Sequence, residues 1–152
     1  MSNSPEQLLH RIIDAASDAV VFTDRGGVIQ YWSPGAAATF GYTADEAIGA
    51  SLDIIIPERL RDRHWKGWDH VMETGVTRYG REVLAVPAVR KDGSSLSIEF
   101  TIQLLRDETG AIAGASAIIR DVTTRWQRER DLRARVKELE AKLAAGVAGA
   151  GR

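Results

Sequence analysis

The stretch Ser95-Leu96-Ser97-Ile98-Glu99-Phe100-Thr101-Ile102-Gln103-Leu104 alternates polar and apolar residues without a break. A period of two predicts a strand with one face in a core and the other in water, the pattern of an antiparallel sheet. Leu96, Ile98, Phe100, Ile102 and Leu104 are the core-facing set. Turn residues bracket the strand: Lys91-Asp92-Gly93 precedes it and Asp107-Glu108-Thr109-Gly110 follows it. Upstream, residues 81–90 read as a second strand, in which Pro87 has no backbone donor and marks an edge or a bulge. Downstream, residues 111–121 read as a third strand. Its Ala113, Gly114, Ala115, Ser116 and Ala117 leave room for another element to approach closely. Three strands joined by short turns make a meander.

Toward the N-terminus, Ala19-Val20-Val21-Phe22-Thr23-Asp24 reads as a buried strand. Arg25-Gly26-Gly27 turns it into a second strand, Val28-Ile29-Gln30-Tyr31-Trp32, a hairpin signal. Ser33-Pro34 then opens a run of short helical pieces. Thr43-Ala44-Asp45-Glu46 is a capping box, predicting a helix that stops near Gly49. Before the first strand, residues 4–17 form an amphipathic helix with Ser4 as cap, Pro5 at the first position and Gln7 completing another capping box. Its apolar stripe is Leu8, Leu9, Ile12, Ile13 and Ala16, which must cover its own sheet or a second subunit.

Residues 57–75 predict the longest helix of the globular region, with Pro57 at its first position and Gly75 just past its end. Leu60, His64, Gly67/Trp68 and Val71 share one face, while Arg59, Arg61, Asp62, Lys66 and Asp69 point elsewhere. A histidine on an apolar stripe needs a partner for its ring nitrogens, either an acceptor or a metal. His70 lies roughly 240° around the helix from His64, so the two form no same-face metal pair. His10, on the N-terminal helix, reads as solvated. Trp65 and Trp68 read as core aromatics that can also edge a cofactor. Arg78, Arg81, Arg90 and Lys91 can greet a carboxylate.

From Thr123 the composition turns charged and helix-favouring, and Leu132, Val136, Leu139 and Leu143 are spaced 4-3-4. That is a heptad seam of two repeats, predicting a signalling helix or dimer staple over 123–145, followed by a frayed Ala/Gly-rich tail at 146–152.

The 152 residues suffice for one domain with extensions. The net charge of −1 argues against a nucleic-acid binder. With no cysteine, disulfides, thiolate metal sites and thiol-adduct photochemistry are excluded. The polar N-terminus lacks a signal-peptide pattern, and no apolar run approaches the ~20 residues of a membrane helix, so a cytoplasmic protein off the membrane is expected. Phosphate loops, a Ser-His-Asp arrangement and supported carboxylate pairs are not found, so no enzyme is expected.

Two strands, several short helices, one longer helix and a three-stranded meander is the order of a PAS domain. Asp24-Arg25-Gly26-Gly27-Val28-Ile29, Phe40-Gly41-Tyr42-Thr43-Ala44-Asp45-Glu46-Ala47-Ile48-Gly49, Arg90-Lys91-Asp92-Gly93-Ser94 and Arg120-Asp121-Val122-Thr123 all resemble PAS signatures. The resemblance spans about residues 10–125 and implies an α+β fold, a five-stranded antiparallel sheet flanked by short helices, with the sensor domain at 18–122. PAS domains take haem, flavin, organic acids or nothing. The helix of His64 resembles that of haem-binding PAS domains of the FixL type, whose proximal histidine lies eleven residues before the glycine of a Thr-Gly pair, as His64 does before Gly75.

This resemblance implies haem b with His64 Nε2 on the iron. Leu60, Trp68 and Val71 on the same helix, Tyr79 beyond it, and Leu84, Phe100 and Ile102 on the strands would line the pocket. The arginine that steadies bound oxygen in that family maps to Leu84, and the methionine ligand of a related phosphodiesterase sensor maps to Glu82. The polar distal switch is therefore missing, which favours carbon monoxide, nitric oxide or redox sensing over oxygen sensing. The expected partners are a second copy of the chain and a downstream signalling protein or fused output domain. The alternatives are a cofactor-free dimerisation and relay module, or a PAS domain binding flavin or a small organic acid.

Overall fold

A computed structural model describes residues 4–77 and 82–151. The chain divides after Asp121 into two units. In the first, five antiparallel strands run in the order β2-β1-β5-β4-β3, with β1 at Ala19–Asp24, β2 at Ile29–Trp32, β3 at Leu84–Val89, β4 at Ser95–Arg106 and β5 at Ile112–Asp121. This is the sheet expected from the sequence. Pro87 lies on the edge strand β3, where its missing N–H costs no ladder bond.

Register places the apolar set of β4 on one face with its neighbours. Leu84 lies opposite Phe100, Val86 opposite Ile98 and Ala88 opposite Leu96 across the β3–β4 pair. Phe100 then lies opposite Ile119, and Ile102 opposite Ala117, across β4–β5. Leu96 and Ile98 are buried, whereas Phe100, Ile102 and Leu104 are half-buried. The close approach predicted from the small residues of β5 is realised at Gly114. A Cβ built there would lie 1.9 Å from the Thr23 carbonyl oxygen of β1.

The helical elements follow in sequence order. These are α1 (Pro5–Ala15), α2 (Pro34–Phe40), α3 (Ala44–Ala47), a 3-10 turn at Leu52–Ile55 and α4 (Glu58–Thr74). Ser4 with Gln7 and Thr43 with Glu46 form the two predicted capping boxes. Ala36, Phe40, Ile29 and Trp32 are buried with Ala19, Val21, Leu96, Ile98 and Ile119 in the main core. The α1 stripe is less covered than its pattern implies, with Leu8, Leu9 and Ile12 at 50%, 59% and 56% exposure.

Several boundaries differ from expectation: α1 ends at Ala15 rather than at 17, and β3 takes only Leu84–Val89 of the expected 81–90. Pro57 caps α4 from outside rather than filling its first position, and Gly75 ends it in the left-handed conformation. In the second unit, α5 runs from Thr123 to Ala150, so the tail predicted to fray from 146 is helical almost to its end. Alanine is the best helix former, and Ala144, Ala145, Ala148 and Ala150 outweigh the cost of about 1 kcal/mol for each of Gly146 and Gly149. Along α5, Leu132, Val136, Leu139 and Leu143 are exposed, and Glu138 pairs with Arg135 at 3.3 Å and Lys142 at 2.9 Å. No helix among the described residues is long and apolar enough to cross a membrane.

Candidate functional site around His64

Helix α4 faces inward along Leu60, His64, Trp68 and Val71, all half-buried, with Met72 buried beside them. Gly67, which the helical period grouped with Trp68, is exposed. Arg61, expected to point away, is half-buried instead. Its guanidinium donates to the carbonyls of Ile56 (3.1 Å) and Asp53 (3.2 Å), tying the start of α4 to the preceding turn.

His64 lies in an aromatic cluster. Its ring meets Trp65 edge-on, with centroids 4.7 Å apart, and stacks on Trp68 at 6.0 Å and 28°. Both tryptophans are fixed at their polar ends: Trp65 Nε1–H donates to Asp53 Oδ1 (2.8 Å) and Trp68 Nε1–H to the Arg25 carbonyl (2.8 Å). The Trp65 indole fills the space where Gly27 would carry a Cβ, so α4 rests directly on the β1–β2 turn. That turn is held by Asp24, whose Oδ1 accepts from the backbone of Gly26 (2.9 Å) and Val28 (3.0 Å).

The Nδ1 atom of His64 is buried and has no hydrogen-bond partner. Such an atom costs about 1–3 kcal/mol in a folded protein. Burial pushes the His64 pKa below its ordinary value, and the Asp53 carboxylate pulls the other way. The imidazole is thus held toward its neutral form, the form that ligates a metal.

Of the strand residues assigned to the site, Leu84 and Phe100 are brought together as a cross-strand pair, and Ile102 follows two positions along the same face. Leu60 and Phe100 both pack on the main core, while Trp68 and Ile102 both pack on the cluster of Met72, Ile112 and Ala115. Tyr79, and with it Arg78 and Arg81, lies outside the described residues. Arg90 and Lys91 are not free to meet a carboxylate ligand. Arg90 pairs with Asp121 at 2.9 Å and donates to the Thr39 carbonyl, and Lys91 pairs with Glu46. His10 is exposed, as expected, and His70 is exposed as well. Two residues of the site carry no sequence signal of their own: Asp53, and Arg25, which reads only as a turn residue.

A family model described as "PAS fold" matches residues 13–127. The chain belongs to the PAS family. Among solved structures, the PAS domain of a protein from Colwellia psychrerythraea has a TM-score of 0.70 at 24% identity, covering 80% of this chain and 99% of that one. A protein of Azorhizobium caulinodans, whose name assigns no function, is 34% identical over 80% of this chain. The sensor protein FixL of Bradyrhizobium diazoefficiens is 28% identical over 91% of it. The chain spans only 16% and 26% of the lengths of these two relatives. It is a PAS signal-sensing domain.

Proposed function

We propose that this PAS domain senses through haem b held by His64, and relays the state of the iron through its C-terminal helix. The observation that carries this reading is the half-buried imidazole on the apolar face of α4, held between Trp65 and Trp68 and toward its neutral form. Its unpartnered nitrogen is Nδ1, not the Nε2 that the resemblance puts on the iron. The residues present suit the group. Leu60, Trp68 and Val71 offer apolar and aromatic surface on α4, and Leu84, Phe100 and Ile102 offer apolar side chains on the sheet. Similarity to FixL over most of the chain supports the same reading.

Bound there, haem supplies an iron that takes a diatomic ligand or changes oxidation state. His64 would hold the group, and its depressed pKa keeps the proton from competing for the nitrogen. Leu84 gives no hydrogen bond where oxygen would need one, so carbon monoxide, nitric oxide or redox state fits the site better than oxygen. The exposed stripe of α1 and the seam of α5 support a homodimer, with a downstream signalling protein or fused domain as output.

An absorption spectrum after addition of hemin, taken beside His64→Ala, tests the reading. The expected result is a sharp Soret band near ~400 nm that is lost in the variant. A band retained in full by His64→Ala would remove His64 as ligand.

A second reading, a cofactor-free relay module, draws on one observation. Within the first unit, the hollow beside Phe40, Gly41 and Lys91 is not lined by His64 or any other residue of α4. No Soret band with either protein favours that reading.

A further inference from the structure

Arg25 sits at the turn between β1 and β2, where most polar residues would serve. Its guanidinium nevertheless spans two other elements: Nη1 donates to the Ile112 carbonyl at the start of β5 (3.2 Å), and Nη2 to the Met72 carbonyl in the last turn of α4 (3.3 Å). The Met72 carbonyl is among those at a helix C-terminus that find no partner within the helix. A cation there also meets the negative end of the helix dipole. The Arg25 carbonyl in turn accepts the indole N–H of Trp68, whose ring stacks on His64. Met72, Ile112 and Trp68 also pack in one apolar cluster, so the polar tie and the apolar contact act on the same joint.

We propose that Arg25 is a positioning residue for His64: it ties the end of α4 and the Trp68 indole to the first residue of β5, so that displacement of His64 is passed to that strand. The assignment rests on His64 being the functional ligand, and it adds the route by which the ligand's movement leaves the site. A guanidinium is suited to it because its planar fork reaches two carbonyls at once, whereas an ammonium acts as a single point. The strand so reached is the one that continues through Val122 into α5.

The test uses the apoprotein, with histidine ring-proton resonances recorded for wild type, Arg25→Ala and Arg25→Lys. The His64 resonances are displaced by the neighbouring indoles, while exposed His10 and His70 serve as internal references. Arg25→Ala should move the His64 resonances toward those of the two exposed histidines, with Arg25→Lys between. Amide exchange at the start of β5 and in the last turn of α4 should rise together. Hemin affinity should fall about 10-fold in Arg25→Ala, the usual effect of losing a group that orients a metal ligand. Unmoved His64 resonances in both variants would overturn the assignment. A wild-type protein that takes up no hemin would overturn the haem reading instead, and the ring resonances would still decide the role of Arg25.

Discussion

At the scale of the residue, His64 is held in a state that an exposed histidine would not keep. Its pKa is lowered by burial, so the neutral ring is favoured in the fold. In the unfolded chain the same ring protonates near the ordinary value of ~6.5. The contribution to stability is therefore complete above that pH. It is lost as pH falls below it, because the unfolded state takes up the proton first. The urea midpoint of the apoprotein should drop between about pH 7.5 and about pH 5, and that of His64→Leu should drop less. Equal slopes for the two proteins would remove His64 as the titrating group. The sequence made His64 conspicuous because a lone polar ring interrupted an apolar stripe. Nothing comparable singled out Arg25 or Asp53, because their roles consist of bonds to carbonyls and to an indole on distant segments.

At the scale of the element, legibility followed how local the cause was. Period-two alternation put Leu96 to Leu104 on the correct face, and capping boxes placed the starts of α1 and α3, because both signals are complete within a few residues. What the pattern left open was depth of burial along β4. Leu96 and Ile98 in the first half are buried and Ile102 and Leu104 in the second are half-buried, a difference set by segments distant in sequence. The inward turn of Arg61 was equally illegible, since carbonyls of the preceding turn recruit it. The small residues of β5 did forecast a close approach, and Gly114 makes the sharpest case. Gly114→Ala forces a methyl group against the Thr23 carbonyl and should cost at least about 1–3 kcal/mol, read as a lower urea midpoint. A midpoint unchanged from wild type would show that β1 and β5 can separate locally at no cost.

At the scale of the whole molecule, the PAS order of elements was legible throughout, because each strand and turn carried its own signal. The proposed homodimer is legible only as exposed apolar stripes on α1 and α5. Leu139 lies in the centre of the seam on α5 and is 45% exposed. Leu139→Asp should lower the solution mass measured by light scattering toward that of one chain, since a buried carboxylate in a two-heptad seam outweighs its packing. An unchanged mass would remove the α5 seam as a dimer contact.

Pro87 has a consequence for how copies of the chain meet. A sheet has two open margins, and each is a template on which a foreign strand can grow. Here one margin is β2, only four residues long, and the other is β3, interrupted by a residue that cannot donate. Neither margin supports a continuous ladder to a neighbour. Crowded copies are thereby steered away from strand-to-strand fibrils, and reversible association is left to helices and side-chain faces, where a sensor can loosen it again.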